Sequence, residues 1–154
     1  MNLSDHLTLV EMTRTSHPVA NVPTEDDIWC MQELARNVFE PFRLHCCDGK
    51  RVDIDSGFRC SELNRIVGGA KGSQHTRGEA LDAVPSAVSI ARAMWRLAQG
   101  IKDGSLTVDQ AIIYPSRGFI HLSHSPHRAQ RKELLVSPRS KVYEAYHQPT
   151  LEPA

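Results

Sequence analysis

Two runs of apolar and β-branched residues, 109–114 and 119–123, flank Pro115-Ser116-Arg117-Gly118. A proline and a glycine between two such runs signal a β-hairpin. The rest of the chain has to supply the strands and the covering layer that a hairpin lacks by itself. Arg51-Val52-Asp53-Ile54-Asp55 alternates and predicts a short strand, and 79–84 predicts another. Thr24-Glu25-Asp26-Asp27 reads as a helix start, with Thr24 as N-cap, Asp27 three residues on and acids in the first turn. Ile28, Met31, Leu34, Ala35 and Val38 follow at helical spacing, and Pro41 is expected to end the run. Ile90, Met94, Leu97, Ala98 and Ile101 predict a second helix that closes between Gly100 and Gly104. A short helix is expected over 61–67, between the turn Ser56-Gly57-Phe58-Arg59 and the loop Gly68-Gly69-Ala70-Lys71-Gly72. The first 23 residues read as an irregular arm with short helical pieces. Locally paired strands among helices predict an α+β fold with a small, mainly antiparallel sheet flanked by helices.

At 154 residues the chain has the length of one domain, and such a domain buries roughly 70% of its unfolded surface without needing staples. The expected domain spans 1–136, with 137–154 as a C-terminal extension carrying three prolines. Eighteen basic and eighteen acidic side chains leave no net charge, which disfavours a nucleic-acid partner. Arg117, Arg128, Arg131, Lys132, Arg139 and Lys141 do gather late in the chain; they read as a solvated face rather than a phosphate-binding patch. No G-x-G-x-x-G or Walker-type loop follows a strand, so a nucleotide fold is disfavoured too. No run of about 18 apolar residues exists to span a membrane. The N-terminus lacks the basic-then-apolar pattern of a secretory signal. The chain is therefore expected in the cytoplasm on synthesis, with another route needed for work outside. Cys30, Cys46, Cys47 and Cys60 form no C-x-x-C pair, so a thiolate zinc site is not indicated and reduced thiols are expected.

The densest polar stretch is Ser73-Gln74-His75-Thr76-Arg77-Gly78-Glu79-Ala80-Leu81-Asp82. His75 stands at the edge of the glycine-rich loop, and Asp82 lies seven residues on, in a predicted strand. His121 sits in another predicted strand. Two imidazoles and one carboxylate leave a fourth position open, the donor set of a catalytic zinc site rather than a closed structural one.

Those residues belong to a longer series. Ser56-Gly57-Phe58-Arg59, Leu63-Asn64, Gly68-Gly69, Ser73-Gln74-His75, Gly78-Glu79-Ala80-Leu81-Asp82, Asp109-Gln110 and Phe119-Ile120-His121-Leu122-Ser123 fall in one order. The series resembles the zinc D-Ala-D-Ala carboxypeptidase family of peptidoglycan peptidases, in particular its compact phage and prophage members. The family pattern S-x-H-x-x-G-x-A-x-D is matched in full by residues 73–82, and the resemblance runs from about residue 3 to residue 135. It implies the small α+β fold shared by these peptidases and the hedgehog signalling domain. It implies Zn2+ as cofactor on His75, Asp82 and His121, and a peptidoglycan peptide as partner; the chain is expected to be a monomer. Arg59 matches the arginine that steadies the substrate carbonyl or its developing oxyanion, a role that suits a fixed guanidinium. Ser73 matches a serine close to the substrate. Asp109 and Gln110 are expected to cap and orient the hairpin rather than react.

The chain departs from the family at the general base. Many relatives place a carboxylate three residues before the last histidine, where this chain has Gly118. Compact members often carry a glutamate shortly after the Asp-Gln pair, and the matching position here is Tyr114. A neutral phenol is a poor base near pH 7. Three arrangements remain: Glu79 reaches the water from just ahead of Asp82; His124 or His127 does so from beyond the hairpin; or zinc and a cell-wall peptide are bound without efficient cleavage.

Overall fold

The computed structural model describes all 154 residues. Thr24 opens the long helical run with a reciprocal cap: its hydroxyl accepts from the Asp27 N–H at 3.1 Å, and the Asp27 carboxylate accepts from the Thr24 N–H at 2.9 Å. Helix α2 is Glu25–Leu34. Pro41 does not end the run. The chain passes through a π-helical turn, Ala35–Phe39, into α3, Glu40–Cys46, with Pro41 in the first turn of α3. The wider turn shifts the hydrogen-bond register just where proline has no N–H to give and its ring would press on a preceding carbonyl. The N-terminal arm is more ordered than its composition predicts. β1 (Asn2–Ser4) and β2 (Leu7–Thr8) form a two-stranded ribbon, followed by α1 (Leu9–Thr13).

The main sheet contains β3 (Val52–Ser56), β4 (Ala80–Pro85), β5 (Gln110–Tyr114), β6 (Phe119–Ser123), β7 (Glu133–Arg139) and β8 (Val142–Ala145). Their order is β3-β4-β6-β5-β7-β8, and every neighbour is antiparallel except β5 with β7. The expected hairpin is β5–β6, and the mainly antiparallel α+β architecture follows. Between the strands lie α4 (Ser61–Ile66), a 3₁₀ turn (Gln74–Arg77) and α5 (Ile90–Asp103). No helix is long and apolar enough to cross a membrane.

Strand alternation gives the sheet two unlike faces. Leu81 and Ala83 of β4, Ile120 and Leu122 of β6, and Ala111 and Ile113 of β5 join one core with Met31, Leu34, Val38, Phe39 and Phe42 from the α2–α3 run and Met94 and Leu97 from α5. Each fully buried Leu, Ile, Val, Met or Phe side chain among them contributes about 1.5–3 kcal/mol. The helix-covered face thus carries the stability, and the other face is free to carry polar residues. On that second face, the register aligns Ser56, Asp82, His121, Ile112 and Leu135 in one row across five strands.

The boundary expected between 136 and 137 falls inside β7. Residues 142–145 then add the edge strand β8. The remaining tail lies along α5: the Trp95 indole N–H donates to the Pro149 carbonyl at 2.8 Å, the Arg92 Nε donates to the Pro153 carbonyl at 2.9 Å, and Arg96 pairs with Glu152 at 2.6 Å.

Candidate metal centre

β4 and β6 are neighbours, and their register sets Asp82 opposite His121. His75 reaches the same point from the 3₁₀ turn. Ser73 caps that turn, its Oγ accepting from the His75 N–H at 3.3 Å, and Gly78 closes it with φ +72°. A side chain at Gly78 would also collide with the Asp27 carbonyl. Only glycine meets both demands, which explains its place between His75 and Asp82.

Asp82 Oδ1 lies 3.3 Å from His75 Nε2 and 3.2 Å from His121 Nδ1. One donor atom from each of the three residues lies within 4.8 Å of the others, so a single ion can meet all three. His75 and Asp82 are buried, and His121 is nearly so. The His75 Nδ1 is 2.6 Å from the Gly57 carbonyl. A carbonyl only accepts, so Nδ1 carries the proton, and in the neutral ring Nε2 turns its lone pair toward Asp82 Oδ1. Two acceptors facing each other in a buried place repel unless a cation or a proton lies between them. A metal ion satisfies both, so the donor set fits zinc. Without a metal, a proton on His75 Nε2 fills the same gap: burial alone would push the Asp82 carboxyl up, but the charge His75 then carries and the hydrogen bonds of His121 and His75 hold it below the usual carboxylate range. Burial pushes His121 down, toward the neutral form a metal ligand needs.

Arg59 stands beside this centre, its Nη2 3.6 Å from Asp82 Oδ2. Its Nε donates to Ser56 Oγ at 3.0 Å and its Nη1 to Asn64 Oδ1 at 3.2 Å, so the guanidinium is fixed. Arg59, Ser73, His75, Asp82 and His121 all line one cavity of about 820 Å³, within the range of a small-ligand site.

Glu79 does not join them. Three residues from Asp82, it belongs to the opposite side of the strand. Its carboxylate takes the Arg77 Nε at 2.8 Å, and it lines a separate hollow with Asp26, Asp27 and Cys30. His127 lines that hollow too and packs at a tilt against Trp29, with ring centroids 5.6 Å apart. His124 is buried and lines neither space. Tyr114 does line the main cavity, its hydroxyl 3.5 Å from that of Tyr143. Burial, then Tyr143, pushes the Tyr114 phenol further up, so it stays protonated. Gly118 sits in the β5–β6 turn with φ +79°. Asp109 is structural, held by Arg128 at 2.6 Å and Arg131 at 2.8 Å, while Gln110 donates to Glu133 of β7 at 2.6 Å.

The late basic residues are not merely a solvated face. Arg117, Arg131, Arg139 and Lys141 line the cavity, as does Tyr143. Arg117 comes from the β5–β6 turn, while Arg131, Arg139, Lys141 and Tyr143 approach because β7 and β8 join the sheet, a long-range pairing that local spacing does not signal.

The Peptidase M15 family model matches residues 5–123. That span covers most of the chain and contains all three candidate ligands, and the chain belongs to the peptidase M15 family. No curated protein matches the chain.

Proposed function

We propose that this protein is a zinc metallopeptidase that hydrolyses a peptide bond in peptidoglycan stem peptides, as a D-Ala-D-Ala carboxypeptidase or an endolysin-type endopeptidase. The observation that carries this reading is the convergence of His75 Nε2, Asp82 Oδ1 and His121 Nδ1 on the cavity floor of a peptidase M15 chain. These three residues would hold zinc, with the Gly57 carbonyl orienting His75 from behind. When bound, zinc supplies Lewis-acid polarisation of a carbonyl and a water that ionises near neutral pH. Arg59, fixed by Ser56 and Asn64, offers its guanidinium to the carbonyl oxygen and to the charge that develops there. Ser73 presents its hydroxyl at the cavity wall, where it can hold the peptide backbone. The chain acts on the cell wall as a monomer.

One observation favours a second reading. Asp82 is the only carboxylate lining the cavity, so no acidic side chain stands ready to take a proton. A zinc-binding module that holds cell-wall peptide without cutting it, or serves as a phage structural component, accommodates that absence.

Incubation of the zinc-loaded protein with purified peptidoglycan separates the two. New amino or carboxyl termini that fail to form with Asp82→Asn support the peptidase. Intact muropeptides in the presence of bound zinc leave only the binding module.

A further inference from the structure

In a chain with no net charge, the main cavity is lined by five cations and one carboxylate. Arg59 is committed to Asp82, Ser56 and Asn64, and Arg131 to Asp109. Arg117, Arg139 and Lys141 have no carboxylate partner within 4.0 Å. Arg117 lies over the Phe119 ring at 4.9 Å and the Tyr114 ring at 5.7 Å, which holds its charge at the cavity edge. Arg139 and Lys141 flank the tight turn that joins β7 to β8. Lys141 sits at φ +60°, a backbone conformation that glycine or asparagine adopts at less cost. The lysine at this position lines the cavity and adds a cation to it at some backbone cost. This hairpin follows residue 123, where the match to the peptidase family ends.

We infer that the β7–β8 hairpin, through Arg139 and Lys141 together with Arg117, forms an anion subsite that selects peptides carrying a free carboxylate apart from the bond under attack. The inference rests on the peptidase reading for the nature of the ligand, a peptide. The charge balance of the cavity, which focuses attraction on anions, supplies the rest. The hairpin is thus a specificity element beyond the residues that the family model matches, and the carboxylate partner is met by side chains that are otherwise unpaired.

The test uses the zinc-loaded protein and two synthetic peptides ending in D-Ala-D-Ala, one with a glutamate and one with glutamine in its place. Calorimetry gives the ratio of Kd values; if a peptide is cut, the ratio of kcat/KM replaces it. The parent should prefer the glutamate peptide by roughly five- to tenfold, the scale of two solvent-screened charge pairs. The preference should shrink in high salt. In the Arg139→Gln, Lys141→Gln double variant it should fall below about twofold, with zinc content and the glutamine peptide's affinity unchanged. Equal handling of both peptides by the parent, binding of neither, or a preference that survives in the double variant would overturn the inference. Failure of the peptidase reading looks different: both peptides and whole peptidoglycan stay uncut while the glutamate preference persists.

Discussion

Asp82 and Asp109 are both buried aspartates, one in β4 and one at the entry to β5, and they have opposite surroundings. Asp109 is saturated. Arg128 donates to its two oxygens at 2.6 and 2.8 Å, the Arg131 side chain at 2.8 Å and backbone at 2.9 Å, and Gln74 at 3.0 Å. Asp82 has one guanidinium at 3.6 Å and two imidazoles, one of which meets it across a gap that a proton or a metal ion must fill. Burial alone would push either carboxyl up; the imidazoles at Asp82, and Arg128 then Arg131 at Asp109, hold both below the usual carboxylate range. Burial and a lowered pKa therefore do not separate an anchor from a candidate metal ligand. What separates them is whether the neighbours already supply the donors the carboxylate needs.

The largest effect is expected from Asp82→Asn. The amide removes one of the three proposed zinc ligands and its charge, and the proposed cleavage of peptidoglycan should fall by at least about 100-fold. Circular dichroism should show the fold unchanged. Cleavage that persists near the parent level would place the chemistry elsewhere.

Asp109→Asn should do the reverse, lowering stability by about 2–3 kcal/mol in denaturant titration while zinc is retained. The figure lies at the low end for a broken buried pair because both arginines are about half exposed. The acid side carries the same signature. A carboxylate held below its unfolded value stabilises the fold above about pH 4, and that contribution is lost as pH falls through the lowered folded value. The parent should therefore lose stability below about pH 4 more steeply than Asp109→Asn. Parallel curves would remove Asp109 from the account.

Arg59→Lys keeps a charge beside Asp82 but cannot keep the two hydrogen bonds to Ser56 and Asn64. An approximately tenfold drop in kcat/KM with unchanged zinc content is the expected result. The smallest effect belongs to Gln74→Ala. Gln74 donates to Asp109 and precedes His75, so it links the two centres. Its loss should cost about 1 kcal/mol of stability and weaken zinc binding by a few fold, read by competition with a chelator. Loss of one effect without the other would mean that the two centres are independent.

The convergence of His75, Asp82 and His121 was legible in sequence, because these candidate ligands fall in a compact motif and two short strands whose alternation places Asp82 and His121 on one face. The same alternation puts Glu79 out of reach, so the strand period argues against it as the base. The run past Pro41 was illegible because a π turn absorbs a proline that local rules treat as a stop. The last two strands were hidden for a similar reason. Pro138 reads as a breaker, yet it sits where the β7–β8 register shifts, between Val136 and Arg139, a place where a missing donor is tolerated. The cationic wall of the cavity was lost with those strands, since residues 139–143 reach the site only through pairing with β5.

Metal analysis after dialysis against zinc tests the central claim most directly, applied to the parent, Asp82→Asn, His75→Ala and Asp109→Asn side by side. The account predicts about one zinc per chain in the parent and in Asp109→Asn, and close to none in the other two. A parent without zinc, or zinc retained by both Asp82→Asn and His75→Ala, would contradict it.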